Sequence, residues 1–132
     1  MLLLDEVLLA DEKRIECRVV LRADSPFVAG DRVRATLAIE YMAQCVAAWV
    51  GLQDHARGLP VRIGYLVGAR EVTFAVDEFQ VGDDLRVEAT RLWGDEMLGH
   101  FACAVRKADE SGGPPLAAAT LNVYRGEIGG VT

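Results

Sequence analysis

Histidine is scarce in this chain. Only His55 and His100 occur among 132 residues, so any mechanism that needs an imidazole has two candidates. Cysteine is scarce as well: Cys17, Cys45 and Cys103 are odd in number, far apart and never spaced as Cys-x-x-Cys. That spacing excludes zinc-ribbon and redox-motif readings and argues against a disulfide framework. The expectation is three reduced thiols in a cytoplasmic protein. Basic charge is in deficit, with 14 Lys and Arg against 20 Asp and Glu and a net charge of −6. A general nucleic-acid binder carries the opposite excess, so no nucleic-acid partner is expected. No histidine or cysteine cluster supplies metal ligands, and no organic cofactor is expected. The opening Met1-Leu2-Leu3-Leu4 meets Asp5 and Glu6 at once, without the basic and long apolar regions of a signal peptide. The most apolar run, residues 35–52, contains Glu40 and Gln44 and lacks anchors on both sides. A buried helix is expected there, and no membrane partner.

What is present is a core-forming composition, 52% apolar and 26% charged. It suits a single domain over residues 1–132 and excludes a disordered acidic tail. Residues 2–10 read as a short strand or a turn of helix. Residues 14–23 alternate Ile15, Cys17, Val19 and Leu21 against polar neighbours, as a half-buried strand does. Asp24-Ser25-Pro26 breaks it, and Gly30-Asp31 extends the loop.

A helix is predicted over residues 36–57, with Thr36 as N-cap or first-turn residue. Ile39, Met42, Ala43, Val46, Ala47 and Val50 keep helical spacing. Leu37, Tyr41, Trp49 and Leu52 fill much of the other side. A helix so apolar should be wrapped by other structure. Gly58 and Pro60 end it. Four strands follow, over residues 61–76, 85–92, 97–107 and 116–125. Gly64 and Gly68 mark a bend or bulge in the first of them. Residues 111–115 read as a mobile loop and 126–132 as a frayed tail. One helix segregated from a run of strands predicts an α+β fold, the helix gripped by a curved antiparallel sheet.

Glu40 is the one ionisable carboxylate from residue 35 to 53. Two readings compete. It points out of the core as a first-turn acid favoured by the helix dipole, or it is a buried carboxyl poised for acid–base work.

Four segments carry a family resemblance. Glu40-Tyr41-Met42-Ala43-Gln44 resembles the helix signature Glu-x-Met-Ala-Gln of hot-dog-fold 3-hydroxyacyl-acyl-carrier-protein dehydratases. Leu2-Leu3-Leu4-Asp5-Glu6-Val7 resembles their opening strand. Residues 64–70 with Phe74 resemble their long strand after the helix, and residues 79–85 their turn before the next one. The four occur in family order over residues 2–92. The nearest subgroup is the dehydratase-like proteins of aryl polyene biosynthesis.

The resemblance implies a homodimer whose two sheets join into one, with a heterodimer as a variant. It implies an acyl-carrier protein as partner and substrate carried on phosphopantetheine, that of the carrier protein or of CoA. Glu40 would be the catalytic carboxylate. Gln44, one turn on, would orient it or touch substrate, and the amides near Thr36 and Leu37 would polarise the thioester carbonyl. Phe27 would fill an aromatic slot beside the substrate. Arg32, Arg34, Arg62 and Arg70, with Arg57, are the candidates for a basic patch that docks an acidic carrier.

The chain departs from the family in one loop. There the family has Gly-His-Phe-Pro-Gly, and the histidine position is Pro26. His55 lies roughly 22 Å along the helix from Glu40 at 1.5 Å per residue. His100 falls in a late strand and reaches the site only across a dimer interface. Family members often carry a Pro-His-x-x-Pro lead ahead of the first strand, and Met1 falls inside it; either the native protein is short there or its start lies further upstream. Three functions therefore remain in view: a 3-hydroxyacyl thioester dehydratase with a changed partner group, a hot-dog thioesterase working from one carboxylate, and an inactive subunit that binds an acyl-carrier protein.

Overall fold

The computed structural model describes residues 2–60, 64–95, 97–110 and 112–125, with the backbone alone for 64–67 and 125. Alternating side chains build its sheet. In Arg14–Val20 (β2), Ile15, Cys17 and Val19 are buried while Arg14, Glu16 and Arg18 are only half-buried. One face of the strand therefore meets a core. The same period runs through Asp84–Gly94 (β6), Leu98–Lys107 (β7) and Ala117–Arg125 (β8). Their inner rows include Leu85, Val87, Phe101, Val105 and Leu121, all at most 3% exposed.

Glu6–Ala10 (β1) and Gly64–Phe74 (β4) are the outer strands of one six-stranded antiparallel sheet, ordered β1-β2-β6-β7-β8-β4. The strand reading of residues 2–10 holds from Glu6 onward. In β4 the register slips between Leu66 and Gly68, where a bend was expected, and again between Arg70 and Thr73. Glu71 takes a positive φ of 52° at the second slip. The tail, residues 126–132, lies outside the described residues.

Two strands escaped the sequence reading. Arg32–Arg34 (β3) and Glu78–Gln80 (β5) pair as a small antiparallel ribbon. Three residues are too few to show a period, yet each strand buries its central side chain, Val33 or Phe79.

The helix (α1) spans Ala38–Ala56 and follows a 3-10 turn at Ala35–Leu37. Thr36 makes no capping bond, contrary to expectation. The amide of Ala35 instead donates to the Asp77 carbonyl at 2.9 Å, tying the turn to the segment that enters β5. The helix is wrapped on one side only. Ala38, Tyr41, Met42, Cys45, Val46, Trp49 and Val50 are buried. Ile39 and Ala43 are half-buried, and Ala47 and Leu52 are exposed. By length and composition residues Ala35–Ala56 pass as a membrane span. In the fold their apolar face lies against β2, β6 and β7 instead. One long helix on a curved antiparallel sheet is the expected α+β hot-dog arrangement.

Candidate functional site

Glu40 stands in the first turn of α1 and is exposed. Of the two readings of Glu40, the structure bears out the outward-pointing first-turn acid and not the carboxyl buried along the helix. The α-helix begins two residues later than expected, so Glu40 falls at its N-terminal end, where the helix dipole favours negative charge. Gln44, one turn on, donates from Nε2 to Glu40 Oε1 at 3.1 Å. Its own Oε1 accepts the backbone N–H of Leu3 at 2.7 Å.

A groove of about 720 Å³ passes Glu40. Phe27, Val33, Leu37 and Ile39 give it an apolar wall, Thr36 adds a hydroxyl, and Arg32, Arg34 and Glu78 add charge. Gln44 is absent from that wall and stands behind Glu40. Phe27 is 66% exposed and holds a φ of 67°. That left-handed conformation is costly for a bulky L-residue and marks a constrained loop. In a 3-10 turn the first amides lack an internal acceptor. Ala35 is already engaged, and the next two residues of the turn, Thr36 and Leu37, line the groove.

Pro26, at the family's histidine position, lines a different cavity. This smaller space, about 230 Å³, is enclosed by residues that include Leu2–Asp5, Arg22 and Tyr41. Burial, and then the charge of Asp5, push the Tyr41 phenol up to about 12. It is thus a neutral hydroxyl at ordinary pH. Neither histidine lines the groove. His55 is exposed in the last turn of α1. His100 alternates with buried Gly99 and Phe101 on β7, which places it on the sheet face away from the helix. There Trp93 stacks on it with ring centroids 3.8 Å apart.

The arginines divide. Arg32 is bound to Asp31 and Glu78, each at 3.2 Å. Arg34 has no ion pair among the described residues. Arg70 lies exposed on β4, and Arg62 lies outside the described residues. All three cysteines are buried and free. Burial pushes the Cys103 thiol up to about 12, and its contact with Cys17 followed by burial raises Cys45 as well. None of the three lines the groove.

The family model described as ApeP dehydratase matches residues 1–129. The chain belongs to the ApeP-like dehydratase family. It is similar to a chain of the dehydratase heterocomplex ApeI:P from Xenorhabdus doucetiae, with 29% identity and a TM-score of 0.87. That match covers 96% of this chain and 84% of the other. Zebrafish thioesterase superfamily member 2 matches with 14% identity and a TM-score of 0.69, over 92% of this chain and 80% of that one. The E. coli PaaI protein from the phenylacetic acid degradation operon matches with 11% identity and a TM-score of 0.70, over 92% and 79%. At such identities these two report the hot-dog fold alone. No protein with a curated description matches the chain in sequence.

In this ApeP-like chain the groove gathers Glu40, Phe27, Thr36 and Leu37, with Arg32 and Arg34 beside them. It omits Arg70. Sequence reasoning missed two contacts that shape the site, Leu3 with Gln44 and Arg32 with Glu78. The first spans 41 positions and the second 46. No local spacing signals such pairs.

Proposed function

We propose that this protein is a dehydratase-type subunit that acts on a 3-hydroxyacyl group held as a thioester on the phosphopantetheine of an acyl-carrier protein. Elimination takes a proton from C2 and gives one to the departing C3 hydroxyl, leaving a 2-enoyl thioester and water. Two proton transfers are most easily served by two groups. Glu40 supplies one. The observation that carries this reading is a groove with a carboxylate, an exposed aromatic ring and the turn that starts the helix, but no imidazole among the described residues. His55 and His100 are both held elsewhere, and a second copy of the chain brings only the same two. The second group then comes from a partner, either a different hot-dog chain or a second copy whose His100 reaches across the interface. A heteromeric relative, the ApeI:P complex, supports the first arrangement. Arg34, in the groove wall and without an ion pair among the described residues, is the best-placed contact for an acidic carrier.

The test uses a 3-hydroxyacyl-carrier protein with the chain alone and with a histidine-bearing hot-dog partner. Turnover is expected in the mixture, and Glu40→Gln in this chain should lower it by about 10²-fold or more, on the order of a lost general acid–base. Equal rates for Glu40→Gln and the unaltered chain would sink the proposal.

A lone carboxylate also suits hydrolysis, with Glu40 activating water. Glu40-dependent release of free thiol, without enoyl product, would select that thioesterase reading.

A further inference from the structure

The geometry points to the N-terminal segment as a positioning strap for Glu40: the backbone N–H of Leu3 fixes the orientation of the Gln44 amide, and that amide holds the Glu40 carboxylate. This rests on the dehydratase reading above. A primary amide has one accepting end and one donating end of nearly equal size, so a half-turn costs little in packing. Here the two ends face unlike neighbours. Gln44 Oε1 meets the Leu3 N–H at 2.7 Å, and Nε2 meets Glu40 Oε1 at 3.1 Å. After a half-turn a donor would face a donor and an oxygen would face a carboxylate, so both bonds would be lost together. The Leu3 N–H and the Glu40 carboxylate, neither of which can reverse its polarity, therefore favour the same orientation of Gln44, and the Leu3 contact holds it there from the N-terminal segment.

The strap itself is anchored. Leu4 is 9% exposed and joins the core. The Asp5 N–H donates to the Arg18 carbonyl at 2.8 Å. Asp5 Oδ2 accepts the Val20 N–H at 2.6 Å, and Oδ1 pairs with Arg22 at 3.0 Å. The end of β2 thus holds Asp5, Asp5 and Leu4 hold Leu3, and Leu3 holds Gln44. With Oε1 of Glu40 held by Gln44, the same side chain lines the groove. An exposed carboxylate on a flexible side chain otherwise samples several rotamers. Gln44 and the Leu3 N–H are positioning groups; neither touches the reacting atoms.

Leu3→Pro deletes the N–H and keeps apolar bulk. It should lower kcat about fivefold, one hydrogen bond's worth, with KM nearly unchanged. Leu3→Ala, which keeps the N–H, should restore that kcat. Gln44→Met should match Leu3→Pro, and the double variant should be no worse than either, because both break one chain of contacts. A double variant equal to the product of the singles overturns the strap, as does a Leu3→Ala loss equal to that of Leu3→Pro. Hydrogen exchange of the Leu3 amide reads the same contact without turnover. It should be slow in the unaltered chain and at least several-fold faster in Gln44→Met. An amide that exchanges at the same rate in both overturns the strap even where dehydration is observed. A protected amide in a chain without Glu40-dependent turnover supports the strap and removes the dehydratase reading alone.

Discussion

Phe27 and Asp84 show what single residues contribute. A left-handed backbone costs an L-residue roughly 1–2 kcal/mol, and glycine escapes that cost. Phe27 accepts it while exposing its ring to the groove. We expect Phe27→Gly to leave the thermal midpoint unchanged or higher while raising KM for the acyl substrate. A lower midpoint with unchanged KM would assign Phe27 to stability instead. Asp84 takes the Arg18 fork at 3.0 and 3.1 Å and Arg86 at 2.6 Å. These guanidiniums, Arg18 first, hold its carboxyl below the ordinary value. In the unfolded chain the carboxyl titrates near about 3.9 and there binds protons at higher pH than in the fold. The stabilisation is therefore complete above about pH 4 and fades as pH falls through the folded value. Asp84→Asn should flatten the acid limb of a plot of Tm against pH; an unaltered slope would contradict the linkage. The type and helical face of Glu40 were legible, since Gln44 follows at i, i+4 as the pair requires. Its exposure stood as one of two readings, and the choice between them rests on where α1 starts, beside a bond from Ala35 to Asp77, 42 residues away.

At the scale of elements, α1 is fixed by what its ends and edges touch. Trp49 is 3% exposed and packs edge-on to Phe101, with centroids 5.6 Å apart. Its Nε1–H donates to the Asp11 carbonyl at 2.8 Å, and Gln53 Nε2 donates to the same oxygen at 2.9 Å. The helix is thereby tied to the turn between β1 and β2. Trp49→Phe removes one donor and some volume but leaves the carbonyl its second partner. We expect a loss of about 1–2 kcal/mol in urea denaturation. Adding Gln53→Ala should cost more in the Trp49→Phe background than in the unaltered protein, since the carbonyl then loses both side-chain donors. Additive losses would refute the shared acceptor. Tryptophan at this position reads as core from spacing alone, whereas its polar tether to a loop does not. The strands β2, β6, β7 and β8 were legible for the opposite reason: a two-residue period needs only neighbours in sequence.

Among the described residues the whole molecule leaves three surfaces unfinished: the outer edge of β1, that of β4 and one stripe of α1. β4 ends the sheet with its outer backbone edge unpaired among the described strands, and Val72 and Phe74 on it are 38% and 39% exposed. The Ile39, Ala43 and Ala47 stripe of α1 is also only partly covered. A free edge accepts another strand unless charge or proline blocks it. A second hot-dog chain laid along β4 would extend the sheet. Val72→Lys with Phe74→Lys should lower the assembled mass measured by light scattering while leaving far-ultraviolet circular dichroism unchanged. A mass unaffected by both lysines would place the interface elsewhere.

By itself the sequence determined the α+β class, the strand run, the single apolar helix and the family, through Glu40-Tyr41-Met42-Ala43-Gln44 and its companions. These are properties of residue type and short spacing, and they survive without coordinates. Tertiary structure alone decided the ribbon of β3 and β5, the exposure of Glu40 and the clamp of Leu3 on Gln44. It also placed His55 and His100 away from the groove. Each of these depends on which distant segments meet, and contact between residues dozens of positions apart leaves no period to read. The shortage of histidine was visible in the chain; that neither histidine lines the groove was decided by the fold.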